Sequence, residues 1–116
     1  MKFPDYYGVG QASNTWIVII KPSKATERLI AEDLRADGYD PNGSAWYDVM
    51  ENVTVVAYVK AKSEEEAKKK VMPYSSYHKK GEYDVIVRRN MDPKPQKEKV
   101  HILRGQELRD FLFRIY

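Results

Sequence analysis

Apolar residues recur along this chain in two rhythms, one of period two and one close to the turn of a helix. "TWIVII" (15–20) is apolar at both parities and rich in β-branched residues, which predicts a central strand covered on both faces. Pro22 breaks it. In "KATERLIAEDLRADG" Ala25, Leu29, Ile30 and Leu34 fall at near-helical spacing, Ser23 stands at the N-cap, and Gly38 sits where a left-handed cap is wanted. "YDPNGS" (39–44) is dense in turn chemistry.

"AWYDVM" (45–50) reads as an extended piece that reverses at Glu51 and Asn52 into a clearer strand, "NVTVVAYVKA" (52–61). In that second strand Val53, Val55, Ala57 and Val59 share one face, and Thr54, Val56, Tyr58 and Lys60 share the other. "SEEEAKKKVM" is a short helix capped by Ser63, with acids in its first turn and lysines in its last, and Pro73 ends it. Its Glu64–Lys68, Glu65–Lys69 and Glu66–Lys70 pairs are spaced i, i+4, so the lysine triplet has a sufficient structural explanation. "EYDVIVR" (82–88) alternates Tyr83, Val85 and Val87 with Asp84, Ile86 and Arg88. "NMDPKPQKEK" (90–99) is a polar loop, "VHIL" (100–103) a short strand, and "GQELRDFLFRIY" an amphipathic helix with Leu108, Phe111, Leu112 and Ile115 in its core stripe.

This order predicts an α+β chain: a ferredoxin-like βαββαβ sandwich with an added C-terminal strand and helix. Two helices would cover one sheet face, leaving the other open or under the last helix. At 116 residues the length fits a single domain, with 1–14 as an N-terminal extension. That fold hosts many activities, so function has to come from particular residues.

Hydrophobic residues at 42% and charged residues at 32% are ordinary for a globular protein. No apolar run reaches the length of a membrane span, and "MKFPDYYGVGQASNT" lacks a signal-peptide core, so the expected setting is cytoplasmic. Without cysteine, and with only His78 and His101, no metal site or cofactor is expected. The net charge of +3 is unevenly spread. Residues 1–57 carry five basic against eight acidic side chains, and residues 58–116 carry fifteen against nine. The second half is therefore the one suited to nucleic acid or an acidic protein surface.

"MPYSSYHKKGEYDVIVRR" (72–89) concentrates the candidate chemistry. Tyr77 is a candidate base-stacker, and Lys79, Lys80, Arg88 and Arg89 are candidate phosphate contacts. Tyr58 and Arg88 fall on strands able to share a face. The competing reading makes Tyr83 core and the loop a polar connection. No nucleophile, base and orienting group come together in the sequence, so a non-enzymatic role is expected, and a hydrolase or nuclease built on His78 is the weakest alternative. Trp46 and Tyr47, beside the turn, are candidates for an exposed partner-binding patch. They would serve the other alternative, a protein-only inhibitor or adaptor of the kind viruses encode against a host factor.

"TWIVIIKPSKATERLIAEDLRADGYD" (15–40) also resembles the start of the NusG N-terminal domain family. Trp16, Val18, Lys21, Pro22, Leu34, Gly38 and Tyr39 fill the slots of its opening strand, Lys-Pro step, leucine-bearing helix and Gly-aromatic exit. "VVAYV" replaces the Pro-Gly-Tyr-Val motif of that family's next central strand. The resemblance implies a partner in the transcription machinery, RNA polymerase with DNA nearby, and an aromatic patch at Trp46 and Tyr47.

Overall fold

The computed structural model describes residues 14–77, 79–91 and 98–116. Within them the elements run β1 (Thr15–Pro22), α1 (Lys24–Ala36), α2 (Ser44–Val53), β2 (Val55–Lys60), α3 (Glu64–Val71), β3 (Tyr83–Arg89), β4 (Val100–Ile102) and α4 (Gly105–Ile115). A single 3-10 turn, Met72–Tyr74, follows α3. The architecture is α+β, with one antiparallel sheet in the order β3-β1-β2-β4.

β1 is the strand around which the rest is arranged. Trp16, Val18 and Ile20 are buried on one face against Ala57 and Val59 of β2 and Ala67 and Val71 of α3. Ile19, at the other parity, is buried with Val56, Met50 of α2, Leu103, and Leu108 and Leu112 of α4. Ile30 of α1 packs on this second face as well. The expected cover of one face by the first two helices of a βαββαβ unit is thus corrected: α1 and α3 lie on opposite faces. The cause is β1 itself, whose two apolar parities need cover on both sides.

The helix ends follow the caps read from sequence. Ser23 Oγ accepts the Thr26 N–H at 3.3 Å. At the other end of α1, Gly38 takes φ 84°. There Tyr39 N–H donates to the Leu34 carbonyl at 2.8 Å, and Gly38 N–H donates to the Arg35 carbonyl at 3.0 Å. This double closure needs a left-handed residue, hence glycine. Ser63 caps α3 by accepting the Glu66 N–H at 3.2 Å, and Lys70 pairs with Glu66 at 3.0 Å.

Residues 45–50, expected as a strand, lie inside α2. Trp46, Val49, Met50 and Val53 repeat at helical spacing, and all contribute to the second-face core. Placing a reversal at Glu51 and Asn52 hid Val53, the residue that completes this stripe. Asn52 and Val53 belong to the helix, and β2 starts only at Val55. From there its faces divide as expected, with Ala57 and Val59 on one and Val56 and Tyr58 on the other. In α1 the expected stripe is narrower than its spacing suggested: Leu34 is buried, while Leu29 is 61% exposed.

A charged clamp joins α2 to α4. Arg109 Nε and Nη2 donate to Glu51 Oε2 at 3.0 and 2.7 Å, and Nη2 also donates to Asp48 Oδ1 at 2.6 Å. Two carboxylates hold this guanidinium pKa above its ordinary value. A forked donor bridging two acids is specific to arginine. Arg109→Ala is expected to lower the midpoint of urea denaturation, and Arg109→Lys should recover less than half of that loss, because lysine cannot bridge both acids with a fork.

Candidate nucleic-acid interface

The residues that the sequence grouped at 72–89 are divided by the fold. Tyr77 leans inward, its ring stacked on Tyr83 with centroids 5.3 Å apart and both packed against the first-face core. Lys79 and Lys80 are exposed in the turn that precedes β3, which closes with Gly81 at φ 91° and with Glu82 N–H donating to the Lys79 carbonyl. The Glu82 carbonyl then accepts from Ser23 N–H at 3.0 Å and Thr26 Oγ1 at 2.8 Å. This stretch is therefore an anchored connection from α3 to β3, docked on the start of α1.

Arg88 and Arg89 lie at the far end of β3, about 20 Å from the turn at strand rise. Successive residues of a strand also point to opposite faces. Arg89 lies over the Trp16 ring at 4.8 Å, on the α3 side. Arg88 is exposed at the parity of Ile86, on the α2–α4 side. The four cations consequently form no single patch.

The sheet register builds a different cluster. Ile17 pairs with Arg88 on one side and with Tyr58 on the other, and Tyr58 pairs with His101. Arg88, Ile17, Tyr58 and His101 thus form one row across all four strands. The next row inward, Ile86, Ile19, Val56 and Leu103, belongs to the core beneath α2 and α4. In the outer row Ile17, Tyr58 and His101 are only half-buried and Arg88 is exposed. The Tyr58 and His101 rings stack at 6.0 Å with 16° between planes, and His101 Nε2 lies 2.9 Å from Glu107 Oε1. One step further out, Lys60 pairs with Thr15 and its N–H donates to the Lys99 carbonyl at 2.8 Å.

This end of the sheet presents a stacked aromatic pair with Arg88 on one flank and Lys60 and Lys99 beyond the other. Neighbouring strands are about 4.8 Å apart, which puts Arg88 about 10 Å from Tyr58 across β1. The sequence offers Tyr58 and Arg88 as residues able to share a face and sets Lys60 on the Tyr58 side of its strand, but it gives His101 and Lys99 no place beside them. The alternation in "VHIL" marks His101 as facing away from Val100 and Ile102. Nothing in the sequence tells that β4 pairs with β2.

Trp46 and Tyr47, expected as an exposed patch, are half-buried on α2. Trp46 meets Tyr116 edge-on at 5.8 Å, and Tyr47 meets Phe113 at 4.5 Å. Ala31, Arg35, Pro41, Asn42, Trp46, Tyr47 and Tyr116 line a shallow cleft of about 310 Å³. Among the described residues no group of three or more His, Asp or Glu is placed to hold a metal ion. No described helix is long and apolar enough to cross a membrane. His78, the basis of the hydrolase alternative, lies outside the described residues, as do 92–97 of the polar loop and 1–13 of the N-terminal extension.

The Tyr77 hydroxyl is buried without a hydrogen-bond partner among the described residues, and burial pushes its pKa up to about 12, with Glu82 and Glu27 adding to the rise. Burial and Glu27 also hold the Tyr116 phenol above its ordinary range. An unfolded tyrosine ionises near 10. Both phenols therefore contribute stability that is complete below about pH 10 and is lost as pH rises through the folded values. Alkaline unfolding followed by circular dichroism should set in between pH 10 and 12. Tyr77→Phe should weaken that dependence and leave stability at pH 7 equal or higher, because it removes an unsatisfied buried hydroxyl.

Comparison with known proteins returns no matching family model, no matching curated protein and no matching solved structure.

Proposed function

We propose that this chain is a non-enzymatic binding domain that takes single-stranded nucleic acid on the end of its sheet marked by Arg88, Tyr58 and His101. The observation that carries the reading is the register row that sets Arg88 and the stacked Tyr58–His101 pair on one half-exposed face. A base stacks on an aromatic ring whatever its identity, and cations spaced along a groove follow the backbone. Arg88, Lys60 and Lys99 supply those charges. Arg89 reaches the same end from the other face, and Lys79 and Lys80 serve only a strand long enough to run the length of β3.

The ferredoxin-like reading is proposed for the strand order alone, because α1 and α3 lie on opposite faces of the sheet. β3, β1 and β2 keep the antiparallel order of such a sheet, and α3 makes its split crossover from β2 to β3. β4 then stands where the second strand of a ferredoxin-like unit would be, the corresponding stretch of chain having become α2. A role in the cytoplasm beside the transcription machinery, as the resemblance of residues 15–40 implied, fits this reading.

Binding to single- and double-stranded oligonucleotides across a salt series tests it. Tyr58→Ala should weaken single-strand binding about tenfold through lost stacking. Arg88→Ala should weaken it and reduce the salt slope by about 0.7. Lys79→Ala with Lys80→Ala should do less than either. Full affinity in Tyr58→Ala and Arg88→Ala, or no binding by the wild type at low salt, removes the reading.

A protein-partner role is favoured by one observation, the Tyr47–Phe113 contact, because Phe113 is 52% exposed on the outside of α4. Its candidate surface is Tyr47 with Phe113 rather than Tyr47 with Trp46.

A further inference from the structure

β3 is an edge strand whose outer side is open among the described residues. β3 runs seven residues against β1 in unbroken register from Tyr83↔Pro22 to Arg89↔Trp16, without a bulge. Just beyond its ends, Asn90 N–H donates to the Thr15 carbonyl and Ser23 N–H donates to the Glu82 carbonyl, each at 3.0 Å. Antiparallel bonding alternates along a strand, so the even-numbered residues bond inward to β1. Tyr83, Val85, Val87 and Arg89 then turn their N–H and C=O groups outward. Among the described residues the outward groups of Tyr83, Val85 and Val87 meet no backbone partner. An edge of this kind is ordinarily blocked by a bulge, a proline, a central charge or a covering segment. Here its centre is Val85-Ile86-Val87.

The strand is also self-complementary. Two copies related by a two-fold axis and bonded through these outward groups must be centred on a residue of the strand. Centring on Ile86 sets Asp84 opposite Arg88 of the second copy, twice, with Val85 opposite Val87 and Ile86 opposite itself. Centring on Val85 or Val87 instead puts Ile86 opposite a charge. In the favoured register Asp84 and Arg88 fall at non-hydrogen-bonded positions, where opposing side chains come closest. Both are exposed at the same parity, and neither side chain has an ion-pair partner among the described residues of its own chain.

We propose that two copies of this chain join β3 to β3, antiparallel and centred on Ile86, into one eight-stranded sheet closed by reciprocal Asp84–Arg88 pairs. The partner is a second copy because the charge pattern of the edge is its own complement. The pairing keeps the two Tyr58–His101 rows on the same face of the joined sheet, at opposite ends. It does not depend on nucleic acid.

Sedimentation equilibrium at low salt, without nucleic acid, tests this. The wild type should dimerise, and added salt should weaken the dimer. Asp84→Arg alone and Arg88→Asp alone should each raise the dissociation constant about tenfold or more, since each sets like charges opposite twice. The double exchange Asp84→Arg/Arg88→Asp should return to within about threefold of wild type, because the pairs re-form with their signs swapped. Val85→Pro removes one outward N–H and none of the bonds to β1, so it should give a folded monomer by circular dichroism. A wild type that stays monomeric into the millimolar range, a double exchange as dissociated as the single variants, or a Val85→Pro that keeps the dimer overturns the proposal. Loss of oligonucleotide binding in Tyr58→Ala with the dimer intact separates this question from that of function.

Discussion

The two-sided burial of β1 is the constraint on which the rest of this structure depends. A strand apolar at one parity is satisfied by one layer of helices. β1 is apolar at both, and its two parities separate into two cores that share no side chain. Burying an aliphatic side chain is worth about 1.5–3 kcal/mol, so leaving either parity of "TWIVII" in water would cost several such units. α3 with the residues that follow it closes one side, while α2 and α4, with Ile30 of α1, close the other. The C-terminal strand and helix are therefore integral to the fold, since α4 supplies Leu108 and Leu112 to the second core.

The candidate interface is a by-product of where that cover stops. α2 and α4 bury Ile19, Val56 and Leu103 with Ile86 packed against them, and Ile17 and Tyr58 of the next row meet that core only in part. The neighbouring row, Arg88, Ile17, Tyr58 and His101, is left half-covered. A half-exposed Ile17 on a central strand is an unusual expense for a small core, and it sits beside two aromatic rings and a cation. Charge, stacking surface and register coincide at this end of the sheet, whereas the turn at 79–82 offers charge alone.

Reading 72–89 as one site failed for a geometric reason. A strand of seven residues extends over 20 Å and alternates its side chains, so residues near one another in sequence were sent to opposite ends and faces. The reading of 45–50 as a strand failed because its helical stripe ends at Val53, past the point where a reversal had been placed. Both errors concern which residues to group, and neither concerns the propensity of a single residue.

Local chemistry determined a good deal by itself: the central position of β1, the parity of β2 from Val55 onward and of β3, the caps at Ser23, Gly38 and Ser63, and the inward stripe of α4. Each depends on interactions within a few residues, namely capping bonds, backbone dihedrals and side-chain alternation. Only the tertiary structure decided which face α1 and α3 would cover, that β4 lies beside β2, and hence that His101 and Lys99 stand next to Tyr58 and Lys60. Those outcomes depend on strand order, which is set by how the two apolar parities of β1 are jointly buried, and that choice leaves no mark on any single stretch of the chain.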